Sequence, residues 1–410
     1  MVSNTFGRSL RKDFLLDPNY TPLNHGSYGC YPRVVQKVLR EHQEKVELFP
    51  DRRLRYDMYP ELRKSRELLA TLLHCNADDI VFSQNASTAA NVIFRSFPFE
   101  EGDKILYFGT AYANVRSTLE FIRDHQKVEL VKIDLKYPLN DACIIDLVNE
   151  TLANEKSKSG KPFRMAVFDV ISSLPGVLFP YEAINRICQE NGILTVLDGA
   201  HSVGHIPIDL EKINPDFFFT NCHKWLFVPR GFAILYVPKR NQGSLHPNTI
   251  NVAYKTHSSL DDNSSFEQEF CSPGTIDHSQ YFCVEPALKY RESLGGEEAI
   301  MQYIHDLAIR GGALVADILG TQVMENDDQT LTVAMANVEL PIKEDINLSD
   351  TEISSTIVKK LIYEHNTMAT PYKNNGKWWI RLCAQVYLEL DDFKKGGEAI
   401  LQICQELNNL

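Results

Sequence analysis

Four short stretches of this chain carry residue types that could do chemistry, and each follows an apolar run. "DFFFT" runs into "NCHKW", leaving Lys224 flanked by Trp225, Leu226 and Phe227. A lysine among such neighbours loses solvation, so its pKa falls and its amine becomes nucleophilic. "ILTVL" runs into "DGAHSVG", where Asp198 ends an apolar strand and His201 follows about one helical turn on. A carboxylate placed there is costly unless something charged pairs with it. "DIVFSQ" leads to "NASTAAN", small and hydroxylated residues opening a helix. The free N–H groups and positive dipole end of such a helix, with the Ser87 and Thr88 hydroxyls, make a phosphate cradle. "KILYFG" leads to "TAYANV", which puts Tyr112 at a strand end, where its ring can stack on a planar group.

Each stretch alone has an ordinary reading: a solvated lysine, a helix-capping aspartate, a plain N-cap, a core tyrosine. Together they describe one ligand. A phosphate anchor, an aromatic cover, an acid for a pyridinium and an amine for an aldehyde are the requirements of pyridoxal phosphate. The 26 residues from Asp198 to Lys224, with all four features in this order, are hard to obtain by accident.

The elements that must position these residues are legible as short β-branched runs at 79–84, 103–109, 128–135, 164–172, 193–199, 216–221 and 232–238. Helix candidates lie between the earlier ones, at 86–96, 113–126, 142–157 and 181–191. Strand and helix alternating this often imply βαβ crossovers and a mainly parallel seven-stranded sheet covered on both faces. Ligands of such sheets bind outside the carboxyl ends of the strands, where the four stretches fall. Helical spacing dominates 33–73, and 238–280 reads as a polar, irregular excursion. A helical segment at 281–318 leads to a strand (329–340), a helix (350–365), a strand around "KWWIRL" and a last helix (390–407). The expected organisation is an N-terminal arm (1–50) joining the small domain, a large cofactor-binding domain (51–285) and a smaller C-terminal α+β domain (286–410).

With 410 residues and 44% apolar content there is ample material for such a core. The net charge of −12 disfavours sequence-independent binding to nucleic acid or to an anionic membrane. Nine scattered cysteines show neither a CxxC pair nor zinc spacing, so no metal site is expected and reduced intracellular thiols are the simplest reading. The first twelve residues lack acids and hold Arg8, Arg11 and Lys12, a faint transit-peptide character outweighed by the ordered-looking sequence that follows. A cytoplasmic protein is the default, with the nucleus also open to it.

The chain resembles the class V members of the fold-type I pyridoxal-phosphate enzymes, in the branch like isopenicillin N epimerase. The resemblance is carried by "LNHGSYG" (23–29), "NASTAAN", "AYANVRSTLEF", "LDGAHSVG", "NCHKW", "GTID" (274–277) and "IRLCAQVY" (380–387). It implies that Lys224 takes the cofactor's aldehyde, Asp198 its pyridinium nitrogen, His201 its ring hydroxyl and Tyr112 its face. Ala86 and Ser87, with Asn221 or His223, would hold the phosphate and neighbouring groups, and Ser172 would join the cofactor shell. In a homodimer with interfacial active sites, Thr275 would reach the phosphate of the neighbouring subunit. Arg381 would pair with the α-carboxylate of an amino-acid substrate, under a closing segment of Asn24, His25 and Gly26.

The reaction is chosen by what leaves Cβ. Cys271 and Cys383 do not resemble the loop nucleophile of a cysteine desulfurase, and Cys222 reads as a packed residue at a strand end. Ile276 stands where the epimerase-like branch carries arginine in "GTRD". "SLGGEEAI" and "VMENDDQTLTVAMANVELP" resemble fungal lyases of ergothioneine biosynthesis, which cleave the C–S bond of hercynylcysteine sulfoxide. The expectation is a C–S β-lyase for a cysteine S-conjugate. The alternatives are a cysteine desulfhydrase, an epimerase or aminotransferase, or a non-catalytic binding protein of the same fold. Tyr28, Tyr31 and Tyr56, with Arg52, Arg53 and Arg55, are candidates for an imidazole-betaine end, although the arginine run reads first as a solvated helix face.

Overall fold

The computed structural model describes residues 6–157, 160–254, 264–271 and 273–410. All seven expected strands of the large sheet are present: β1 (Ile80–Ser83), β2 (Lys104–Phe108), β3 (Glu129–Ile133), β4 (Phe163–Asp169), β5 (Leu194–Asp198), β6 (Phe217–Thr220) and β7 (Ala233–Tyr236). Their order is β1-β7-β6-β5-β4-β2-β3, with β3, β2, β4, β5 and β6 parallel and β7 antiparallel to both neighbours. Alternating side chains explain the burial on both faces. Val196 packs into one apolar cluster and Leu197 into the other, as do Phe217 and Phe218. The chain leaves β2 toward β3 and leaves β4 toward β5, so the crevice for a ligand opens at the carboxyl ends of β2 and β4.

The helices Ala86–Ser96, Ala113–Gln126, Asp141–Lys156 and Tyr181–Glu190 lie where helical spacing put them. The excursion after β7 is less irregular than expected. It contains the helix Ser264–Cys271, whose Phe266 and Phe270 rings, one turn apart and tilted at 52° to each other, pack on the sheet's apolar cluster. The segment expected as one helix divides into Val284–Ser293 and Gly296–Leu319 at Gly295 and Gly296, both in positive φ.

A second sheet of β8 (Met335–Glu339), β9 (Thr370–Asn374) and β10 (Lys377–Cys383) has the order β8-β10-β9, all antiparallel. The helices Asp350–Tyr363 and Gly296–Leu319 pack against it, and the helix Leu390–Leu407 packs on those two helices. β9 is an element that periodicity missed. Its signal was the Asn375–Gly376 turn, where both residues take positive φ as a tight hairpin requires. The N-terminal segment lies along this part of the chain. Gly7 N donates to Val386 O at 2.7 Å, Arg8 and Arg11 both pair with Asp392, and Cys383 N donates to Leu23 O at 2.8 Å.

Candidate active site

The carboxyl edge of the large sheet gathers its polar residues around a cavity of about 210 Å³. Its wall includes Ala86, Ser87 and Tyr112 together with Asp198, His201, Asn221, His223 and Lys224. Lys224 lies in the helical turn Cys222–Trp225 that follows β6, so Cys222 opens a helix and does not end a strand. The sequence suggested a strand end because β6 stops only two residues earlier; Asn221 already has turned out of the ladder.

Lys224 Nζ lies 3.0 Å from His201 Nε2. Trp225 Nε1 donates to His201 Nδ1 at 3.4 Å, which assigns the imidazole proton to Nε2, facing the lysine. Only the neutral form of the amine can accept this proton. Burial, then the Arg381 charge, lower Lys224 to about 8 against an opposing pull from Asp198, so the neutral amine is a minor form at pH 7 and the main form above pH 8. Burial, then the lysine charge, holds His201 well below its usual range. His205 fixes the stack from below. Its Nδ1 donates to His201 O at 2.8 Å, its Nε2 accepts from Ala334 N at 2.8 Å, and its ring stacks on Trp225 with centroids 4.0 Å apart. The buried Arg291 donates to Trp225 O and Gly204 O at 2.9 and 3.0 Å, tying the lysine turn to the loop after β5.

Asp198 is buried at the end of β5, accepts from Ala200 N at 2.9 Å, and is pushed up to about 6 by burial. Beside it in register, at the end of β4, is Asp169. Asp169 is also buried and lines the same cavity. Burial and the Asp198 charge raise it well above the usual carboxylate range, and the Thr110 hydroxyl reaches it only at 3.4 Å. The sequence reading overlooked Asp169, although "AVFD" ends an apolar strand in a carboxylate as "TVLD" does.

At the start of the helix Ala86–Ser96, Asn85 Oδ1 accepts from Thr88 N at 2.8 Å and Asn221 Oδ1 accepts from Ala86 N at 2.9 Å. The Ala86 amide is therefore engaged, while the Ser87 hydroxyl accepts from Asn114 and keeps its own proton to donate. Ser172 turns away from the cavity: its hydroxyl donates to Pro175 O at 2.6 Å, and Ser173 stands in the wall instead. Thr275 is exposed and is not in the wall of this cavity.

Arg381 reaches the site from β10. Nη1 donates to Ser173 O at 2.8 Å and Oγ at 3.3 Å; Nη2 donates to Asn24 Oδ1 at 3.0 Å and Ser27 Oγ at 2.9 Å. Its Nε is buried without a partner, so this buried guanidinium is met by uncharged oxygens only among the described residues. Asn24, His25 and Gly26 form or adjoin the helical turn His25–Tyr28. Asn24 touches Arg381, His25 Nδ1 shares a hydrogen bond with Tyr387 Oη at 2.7 Å, and Gly26 packs on Trp225 and Cys383. Ser27 and Tyr28 of that turn are in the cavity wall; Tyr28 was expected at an imidazole-betaine end, and Ser27 was not singled out from sequence.

A buried, partly neutral amine, a buried carboxylate in the same cavity wall, a neutral imidazole and a hydroxyl at a helix N-terminus are the donor set that pyridoxal phosphate needs, and the residues present fit it. Fold and site together define a fold-type I pyridoxal-phosphate enzyme. The family described as aminotransferase class-V matches residues 32–351, and the chain belongs to that family. It is 32% identical to an L-cysteine desulfhydrase-like protein of Epichloe uncinata, over 98% of this chain and 97% of that one. It is 30% identical to the hercynylcysteine sulfoxide lyase of Schizosaccharomyces pombe, over 98% and 99% of the two chains. The cystine C-S lyase C-DES superposes with a TM-score of 0.78 at 16% identity, over 94% of this chain and 98% of that one, which establishes the shared fold.

Proposed function

We propose that this pyridoxal-phosphate-dependent carbon–sulfur lyase acts on a cysteine S-conjugate, with hercynylcysteine sulfoxide as its substrate, and releases a sulfenate or thiol, pyruvate and ammonia. The observation that carries the reading is Arg381. A buried guanidinium hydrogen-bonded to neutral oxygens alone is a poorly compensated charge, and the α-carboxylate of an amino acid is the anion that completes it.

Bound pyridoxal phosphate supplies a sink for the electrons left at the substrate's Cα. Lys224 would take the cofactor's aldehyde and the Cα proton; at about 8, a useful share of its amine is neutral near physiological pH, as a base requires. Asp198 would face the ring nitrogen, His201 Nε2 the ring hydroxyl and Tyr112 the ring face, while Ala86, Ser87, Asn221 and His223 would hold the phosphate end. Loss of the Cα proton drives the Cβ–S bond to break with its electron pair on sulfur. A sulfoxide leaves as sulfenate, a better leaving group than a thiolate. The enamine left behind hydrolyses to pyruvate and ammonia.

A desulfurase would need a mobile nucleophilic thiol. Cys383 is fully buried in β10, and Cys271 closes a helix with its thiol raised to about 11 by burial. The relatives favour a second reading, a cysteine desulfhydrase, which uses the same residues with a plain thiol leaving. Incubation with L-cysteine, S-alkyl cysteines and hercynylcysteine sulfoxide, with pyruvate as the readout, separates them. Preferred cleavage of plain cysteine would select the desulfhydrase, and amino-group transfer or epimerisation without pyruvate would end the lyase reading.

We also infer a cytoplasmic homodimer, in which Thr275 of each subunit reaches the other's phosphate site, and a division of the chain at residues 50 and 285. A sedimenting monomer, or unchanged cofactor affinity in Thr275→Ala, would refute the shared site.

A further inference from the structure

Behind the turn His25–Tyr28 lies a second cavity of about 400 Å³, larger than the one that holds Lys224. The turn is the partition between the two. Tyr28 lines both, and Asn24, which holds Arg381, borders the second. The walls of the second cavity are aromatic and apolar, with Tyr20, Tyr28, Tyr387 and Met368 among them. His25 in this wall is neutral, because burial pushes it down to about 3. Arg230 is thus the single charged side chain among the lining residues. Its guanidinium is anchored in place: Nε donates to Tyr28 O at 3.0 Å and Nη2 to Gly29 O at 2.8 Å.

We propose that this second cavity receives the sulfur-borne substituent of the S-conjugate and selects substituents with an aromatic or heteroaromatic body that ends in a carboxylate. The inference rests on the S-conjugate reading above. Three observations carry it. A substrate carboxylate held at Arg381 would set the amino-acid end beside Asn24 and Ser27, and the neighbouring Tyr28 lines both cavities. The cavity is of a size for a ring-bearing group, and a methyl group would leave it almost empty. Its one cation suits one anion, while the tyrosine faces suit a planar ring or a quaternary ammonium. The other basic run near the N-terminus is already committed, since Arg52, Arg53 and Arg55 pair with Asp57, Glu61 and Asp51.

The test fills the cavity without touching the catalytic residues or the Arg230 clasp. In the cofactor-loaded full chain, Met368→Trp should leave kcat/KM for S-methyl-L-cysteine sulfoxide within about twofold. It should lower kcat/KM for hercynylcysteine sulfoxide at least tenfold. Calorimetry with hercynine, the betaine moiety alone, should show binding to the unaltered protein and none to the variant. Ile362→Trp, at the exposed rim, serves if Met368→Trp does not fold. Equal losses on both substrates in a folded variant, no loss on either, or hercynine binding that survives the filled cavity would each overturn the inference. Should the unaltered protein release no pyruvate from any conjugate, the lyase reading falls, and the hercynine titration still decides what the cavity holds.

Discussion

Replacing Lys224 by methionine should make the cofactor-free protein more stable, although it abolishes function. The lysine's ordinary value is 10.5 and burial with the Arg381 charge lowers it to about 8, so the folded state holds this proton less tightly than the unfolded chain does. At about 1.4 kcal/mol per pH unit this amounts to about 3 kcal/mol; the side chain keeps some solvent contact, which reduces it to about 2 kcal/mol. The sign follows from linkage. Below pH 8 both states are protonated and the fold bears the whole cost of the buried charge. As pH rises toward 10.5 the folded lysine is already neutral, and the cost fades. Urea denaturation of the stripped protein should show Lys224→Met ahead by about 2 kcal/mol at pH 7 and by about half of that at pH 9.5. A variant no more stable than its parent at pH 7, or an advantage that grows with pH, would refute the assignment of a strained buried amine. The same logic explains why a site residue destabilises its own fold.

Arg381→Lys should raise KM for the amino-acid substrate about 10- to 100-fold and leave the absorbance of the bound cofactor unchanged, because a point charge cannot reproduce the guanidinium fork. Asp169→Asn should retain the cofactor, whereas Asp198→Asn should lose most of its affinity, as titration of stripped protein with pyridoxal phosphate would show. Asp169 is raised in the folded state, so the parent loses stability as pH climbs above about 4 through that raised value; melting curves from pH 5 to 8 should show the Asp169→Asn advantage widening with pH. Gly29→Ala should cost about 2 kcal/mol or more, read as a fall in melting temperature. Gly29 has φ +61°, and an added Cβ would lie 1.8 Å from His223 O, a backbone atom that cannot step aside.

Local pattern was enough to place the strands and most helices of the large sheet. The four polar stretches could be assigned to one edge because a parallel sheet turns all its carboxyl ends the same way, so Asp198, Tyr112, Ser87 and Lys224 converge in space. What local pattern could not supply was the direction of individual side chains. Ser172 and Ser173 are chemically the same in sequence, and only the turn to Pro175 decides which one faces the cavity. Asp169 carried a visible signal that went unused, a carboxylate closing an apolar strand. The turn at 24–29 was expected near the substrate, but its role as a partition depends on Arg230, some 200 residues away, which no periodicity connects to it. The helix Ser264–Cys271 was hidden by the polar residues around its two phenylalanines.

The clasp of Asn24 on Arg381 joins residues 357 positions apart. During synthesis, every residue of the lysine-bearing sheet leaves the ribosome before the strand that carries Arg381 does. On the roles proposed for Lys224 and Arg381, the capacity to capture an aldehyde is encoded well upstream of the capacity to recognise an amino acid, and the N-terminal turn must wait for β10 before it has a guanidinium to close upon.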